Sequence, residues 1–376
     1  MSKIIVLGAG MVGSAMAIDL ADQHRVVLAD INTERLSNVK QRKESIITQV
    51  VDVTQKETLK EVLRDFDLVL CAVPGFLGFE TLKAIIEAKK NVIDISFFPE
   101  DSLSLNQLAI DNDVTAIVDI GVAPGMDNLI LGRLNEEMTI STFACYVGGL
   151  PKIKKWPFNY KAPFSPIDVI EEYTRPARYV ENGNLVVKPA LSDVELMEFD
   201  GIGTLEAFNS DGLRSIIYTM SHIPNMIEKT LRYPGHCEYI SVLKEAGFFD
   251  EEESISIKGV NVSPLSFTSK VLFKEWNLGD DEELTVMRVI VEGKMKGADK
   301  RFVYDLFDRY DSKSATASMS RCTGYTATAA VNMFLKGMWK EKGLFPPELI
   351  GKDEACFNYI LDYLKQRGVY YHLSEN

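Results

Sequence analysis

Over the first third of the chain, short apolar runs alternate with amphipathic stretches. "KIIVL" (3–7), "RVVLAD" (25–30), "SIITQVVDV" (45–53), "FDLVLCAVP" (66–74), "NVIDIS" (91–96) and "VTAIVDIG" (114–121) have the length and β-branched content of buried strands. Between them, "SAMAIDLADQ" (14–23), the stretch from 54 to 64, "GFETLKAIIEAKK" (78–90) and 102–112 follow a helical period. "TQKE" (54–57) has the Thr-x-x-Glu spacing of a capping box. Strands alternating with helices predict parallel βαβ units, and so an α/β class built on a doubly wound parallel (Rossmann) sheet.

From about residue 125 the period changes. "ISTFACYVGGLP" (140–151) reads as a strand, and 284–310 as two strands joined by "KGAD", so a second α+β domain with its own sheet is expected. The strands at 284–310 carry large apolar residues on both alternating sets, more than a one-sided sheet buries, which predicts a homodimer through this domain. Helices are expected at 326–339 and near 353–367, with a loop at 343–351.

The first strand runs into "GAGMVG". Gly8 permits the turn, Gly10 lets backbone approach a pyrophosphate, and Gly13 lets the following helix pack on the sheet. The helix N-terminus then offers free N–H groups to phosphate. Asp30 closes the second strand 30 − 8 = 22 positions after Gly8, near the spacing of the acid that accepts ribose hydroxyls. Its charge opposes a 2′-phosphate, which favours NAD over NADP, although Arg35 lies close in sequence. Ligands of such sheets sit beyond the carboxyl ends of the strands. The expected cofactor shell is therefore Gly8, Ala9, Gly10, Met11, Val12, Gly13, Asp30, Ile31, Asp52, Val53, Ala72, Val73, Pro74, Ser96 and Met126.

Length and charge narrow the classes. A chain of 376 residues is expected to form two domains, and 46% hydrophobic residues supply their cores. The net charge of −13, without a polybasic block, argues against nucleic acid or an anionic membrane as partner. The N-terminus has no leader pattern and no apolar run reaches about 20 residues, so a cytoplasmic protein is expected. Five dispersed cysteines read as reduced thiols, and four scattered histidines share no metal-ligand spacing.

"GAGMVG", "VPGFLGF", "GVAPGMDN", "YVGGLP", "LRYPGH" with "VLKEAGFF", and "SRCTGYTATAA" occur in this order along nearly the whole chain. As an ordered set they resemble the saccharopine dehydrogenase family, most closely its lysine 6-dehydrogenase-like members. The resemblance implies an NAD(P)-linked oxidoreductase acting on a carbon–nitrogen bond of lysine or a lysine adduct. It also implies a discontinuous architecture. Residues 1–124 form the dinucleotide domain, completed by C-terminal helices within 325–376, and 125–324 form the substrate and dimerisation domain. Two positions depart from the saccharopine reductases, "SFF" at the end of the fifth strand and Val147 in place of a cysteine, and both make the pocket more apolar.

Oxidising a primary amine requires a neutral nitrogen, so a lysine ε-ammonium with a pKa near 10.4 needs a proton acceptor. Asp127, just past the sixth strand, is one candidate, with helix capping as its alternative role. "TLRYPGH" (230–236) holds Thr230, Arg232, Tyr233 and His236. Arg232, or Arg214 of "DGLRS", suits a bidentate grip on a substrate carboxylate, and either equally suits a structural ion pair. Thr230 joins them as a substrate contact, Tyr233 offers a phenol, and His236 offers an imidazole of ordinary pKa about 6.5. Arg175 and Arg178 of "EYTRPAR" read as solvated. The amino-acid substrate is expected to lie between this wall and the cofactor.

Overall fold

The computed structural model describes residues 1–251, 254–279 and 281–376. Strands β1 (Lys3–Leu7), β2 (Arg25–Asp30), β3 (Ile47–Val50), β4 (Leu68–Cys71), β5 (Val92–Asp94) and β6 (Thr115–Ile117) pair in parallel in the order β3-β2-β1-β4-β5-β6. Both faces of this sheet are covered, which is why its strands read as unbroken apolar runs. Ile4, Val6, Leu68 and Leu70 enter one core; Ile5, Leu7, Val69 and Cys71 enter the other.

The second sheet contains β7 (Thr139–Pro151), β8 (Ala177–Glu181), β9 (Asn184–Lys188), β10 (Glu195–Phe199), β11 (Gly203–Asn209) and β12 (Met226–Arg232). After a separate hairpin of β13 (Ile255–Ile257) and β14 (Val260–Val262), β15 (Glu283–Met295) and β16 (Ala298–Arg309) complete its body. β17 (Gly343–Phe345) and β18 (Tyr371–Glu375) follow. The path runs β10-β11-β12-β7-β15-β16-β18, with β8 and β9 hung from β12.

Four local expectations need correction. The 343–351 stretch holds β17, which pairs in parallel with β6 and extends the nucleotide sheet, and a short helix, Pro347–Gly351. The helix expected at 326 starts at Ser318, and its first turn donates Met319 N–H to Glu283 of the second sheet at 3.2 Å. The stretch 325–376 divides: the helix that begins at Ser318 packs on Met11–Leu20 of the nucleotide half, Pro347–Gly351 packs on the helix Met126–Asn135, and β18 pairs with β16. The capping box does not form, because Thr54 donates its N–H and hydroxyl to Asp52 (3.0 and 2.7 Å) and the helix Lys56–Leu63 begins later.

The alternation along β15 is satisfied within one chain. Met287, Val289 and Val291 pack under the helices, while Leu284 and Val286 join Tyr146, Phe199 and Leu205 on the other face. The double apolar pattern therefore does not require a second copy. Among the described residues, no helix is long and apolar enough to cross a membrane.

Candidate active site

A cavity of about 880 Å³ runs from the glycine turn to β12. At one end, Gly8 adopts φ +104°, and a Cβ there would meet Ala72 O at 2.4 Å. A Cβ on Gly13 would lie 2.0 Å from Gly8 O, so helix and turn touch backbone to backbone. A Cβ on Gly10 would meet nothing within 4 Å; this residue opens to the cavity, and the helix Met11–Leu20 has no side-chain cap. Its first N–H groups are thus free for an anion. Asp30 is held in place by N–H groups of Ala9 (2.6 Å) and Asn32 (2.7 Å). This donor set and open cradle fit a dinucleotide.

Gly8 through Gly13, Asp30, Ala72, Val73 and Pro74 line the cavity. The other expected cofactor contacts do not. Ile31 is exposed beyond β2, Asp52 is occupied by Thr54, and Val53 packs on the outer core. Ser96 turns back to Asp94 (2.9 Å), and Met126 is fully buried.

On the opposite wall, Thr230 and Arg232 line the cavity. Arg232 is already engaged: Nη2 reaches Glu172 at 2.5 Å, Nε donates to the Tyr173 hydroxyl at 3.0 Å and Nη1 to Leu231 O at 2.9 Å. His236 stands behind this group rather than in the cavity. Its Nδ1 meets Phe158 O at 2.9 Å and its Nε2 the Tyr173 hydroxyl at 2.8 Å. The carbonyl makes Nδ1 the donor, so Nε2 accepts from the phenol, whose oxygen in turn accepts from Arg232. Burial, and then the Arg232 charge, push the imidazole down to about 3. His236 is therefore a neutral strut that orients Arg232, not a general base. Tyr233 also leaves the site: it is buried and donates to Pro151 O at 3.0 Å. His236→Gln is expected to leave the shape of the kcat/KM pH profile unchanged. Loss of an ionisation near neutral pH in that variant would restore the base role.

Arg214 and Asp127 are likewise displaced from their expected roles. Arg214 grips Asp119 with Nη2 and Nε (3.2 and 3.4 Å) and donates to Phe98 O. This joins the two domains and leaves no free edge for a substrate carboxylate. Asp127 is wholly buried in the first turn of the helix Met126–Asn135, where it accepts Gly125 N–H at 2.8 Å, and does not line the cavity.

The reading of Arg175 and Arg178 as solvated needs correction, and Asp168 and Glu228 were not singled out in the sequence. Arg175 is not solvated: it lines the cavity over the Phe97 ring (5.1 Å), pairs with Glu171 through Nη2, and leaves Nη1 buried without a partner. Arg178 is bidentate to Asp211, at 2.9 Å from each nitrogen. Asp168 and Glu228 also line the cavity, and Asp168 Oδ1 and Glu228 Oε2 are buried without partners. Burial raises the pKa of both carboxyls. Glu228 was legible in principle, since it alternates with Thr230 and Arg232 on one face of β12.

A glycine-turn nucleotide sheet facing a second sheet across one cleft defines a dehydrogenase-type dinucleotide-binding protein. Residues 4–117 match the Saccharopine dehydrogenase NADP binding domain and 121–369 the Saccharopine dehydrogenase C-terminal domain. The chain belongs to the saccharopine dehydrogenase family. It is 26% identical over 266 residues to the mitochondrial alpha-aminoadipic semialdehyde synthase of Rattus norvegicus, covering 66% of this chain and 29% of that protein. It is 27% identical over 269 residues to the saccharopine dehydrogenase [NADP(+), L-glutamate-forming] of Pyricularia oryzae, covering 68% and 60%. The chain thus spans less than two thirds of each. The apo saccharopine dehydrogenase (L-Glu forming) structure from Saccharomyces cerevisiae has the same fold, with TM-score 0.81 at 19% identity over 100% of both chains.

Proposed function

We propose that this protein is an NAD-dependent oxidoreductase that acts on the CH–NH2 group of an amino acid, oxidising the 6-amino group of lysine to the semialdehyde, which cyclises. The observation that carries this reading is the set of buried polar atoms left without a partner on the substrate wall, once Arg175 has paired through Nη2 with Glu171. Arg214 and Arg178 neutralise Asp119 and Asp211, and Glu172 neutralises Arg232. What remains with unpartnered atoms is two carboxyls, Asp168 and Glu228, and one guanidinium, Arg175. Lysine carries two ammonium groups and one carboxylate, the complementary set. Saccharopine carries three carboxylates and would call for more cations than this wall leaves free. The names of the relatives support saccharopine as the rival substrate.

In the lysine reading, Arg175 Nη1 holds the α-carboxylate while the ε-amine lies toward the carboxyl ends of the nucleotide strands. A bound oxidised nicotinamide supplies the hydride acceptor. Water then hydrolyses the imine. The preference for NAD rests on Asp30 and on Arg42, whose Nη2 is taken by Ser314 O (3.2 Å) and Ala315 O (3.1 Å). Arg35 on the same wall is the counterweight.

The test follows reduced cofactor by absorbance while lysine, ornithine and saccharopine are offered with NAD and with NADP. Lysine with NAD is expected to give the highest kcat/KM, and Asp30→Ala to narrow the gap to NADP. Turnover of saccharopine without lysine overturns the substrate, and a wild-type preference for NADP overturns the role given to Asp30.

A further inference from the structure

We propose that Glu228 is the group that takes the proton from the substrate amine, and that it does so as one half of a proton-sharing pair with Asp127 buried behind it. The inference rests on the amine-oxidising reading above and assigns the step that reading leaves without a residue, since His236 and Tyr233 are engaged elsewhere.

The placement is geometric. Glu228 faces the cavity from β12, on the same face as Thr230 and Arg232. Gly212 makes room for its carboxyl: a Cβ there would lie 1.7 Å from Glu228 Oε1. Behind it, Asp127 projects from the helix Met126–Asn135 and Cys145 from the adjacent β7, which pairs with β12 at Glu228↔Cys145. One polar atom of each of the three lies within 4.8 Å of the others. Glu228 Oε2 and Asp127 Oδ2 are both buried and both lack a hydrogen-bond partner. Only 4% of Glu228 and none of Asp127 is exposed.

Two buried carboxylates at this separation do not both stay ionised, and a single proton between them relieves the repulsion. The charges facing Glu228 reinforce this. Asp127, Asp211 and Glu172 press its pKa upward after burial itself, and Arg214 alone among these neighbours opposes them. Asp127 is raised for the same first reason, with Glu348 adding to it. The pair therefore carries one proton and one negative charge before substrate arrives.

That charge has a use. The bound ε-ammonium transfers one proton to Glu228: an N–H bond breaks, an O–H bond forms, and both carboxyls become neutral. The nitrogen lone pair then forms the C=N bond as hydrogen leaves C6 with its electron pair for the nicotinamide. Water adds to the protonated imine, the carbonyl forms and ammonium departs. Glu228 returns its proton to solvent, so one lysine, one oxidised cofactor and one water give semialdehyde, ammonium, reduced cofactor and one proton.

The decisive comparison uses full-length wild type, Glu228→Gln, Glu228→Asp and Asp127→Asn. Glu228→Gln is expected to lower kcat about 10²–10⁴-fold, while dinucleotide binding, read by fluorescence, stays at wild-type affinity. Asp127→Asn removes the shared proton that steadies the Glu228 anion, so the rising limb of the kcat/KM pH profile should move to higher pH. Should Glu228→Gln fail to fold, Glu228→Asp must lower kcat and keep the pH limb. Infrared difference spectra of the wild type should contain a protonated-carboxyl band at neutral pH that disappears in Glu228→Gln. Retention of kcat within tenfold together with an unshifted pH profile overturns the proposal. If saccharopine proves to be the substrate, the lysine reading falls, and the same comparison made with saccharopine still decides Glu228. If neither turns over, absence of the infrared band overturns the shared proton.

Discussion

Arg214→Met is expected to lower folding stability by about 3–5 kcal/mol, because it breaks a buried ion pair and leaves its partner uncompensated. The Arg214 and Asp119 side chains are only 3% and 2% exposed, so water does not take over the lost contact. Asp119 follows β6 of the nucleotide sheet, and Arg214 belongs to the loop after β11, so the lost contact is also a hinge pin between the halves. Methionine keeps most of the volume, which separates the charge effect from a cavity. The check is urea denaturation of wild type, Arg214→Met, Asp119→Asn and the double variant. The double variant should lose less than the sum of the singles, since each single strands the same partner. A loss below about 1 kcal/mol for Arg214→Met would mean that the pair is not what holds the cleft together.

The second large effect is on the substrate. Arg175→Met removes the cavity-facing guanidinium whose Nη1 has no partner. A charge-assisted hydrogen bond is worth about 1.5–3 kcal/mol, so KM for lysine should rise roughly tenfold to a hundredfold. kcat should change little, because a carboxylate grip acts alike on ground and transition states. Arg175→Lys should recover part of the loss, lacking only the planar fork. A KM unchanged in Arg175→Met would move the carboxylate elsewhere, with Arg232 the next candidate.

These residues mark where the sequence was informative and where it was not. The strands around the glycine turn were legible because strands buried on both faces leave unbroken apolar runs, as in β1 and β4. β17 was not legible: it is three residues ahead of two prolines, and only pairing with β6 makes it a strand. The functional types in "TLRYPGH" were visible, but their directions were not. Alternation along β12 sends Thr230 and Arg232 to the cavity and Leu231 to the opposite core, and the turn that follows withdraws Tyr233 and His236. His236 lost its role as a base through burial among Tyr160, Tyr173 and Trp276, all distant in sequence. Arg175 gained a role for the same kind of reason, since its surroundings come from Phe97 and Glu171 rather than from solvent. Charge balance on a wall is a tertiary property: Asp211, Asp119 and Glu172 become silent only when Arg178, Arg214 and Arg232 are seen beside them.

The central claim is that the hydride leaves the carbon bearing the side-chain amine of lysine. Lysine deuterated at C6 and lysine deuterated at C2 can be supplied separately with NAD, and the reduced cofactor recovered for mass spectrometry. The account predicts one deuterium in the cofactor from the C6-labelled substrate and none from the C2-labelled one. Deuterium arriving from C2, or lysine left untouched while saccharopine is oxidised, would contradict it.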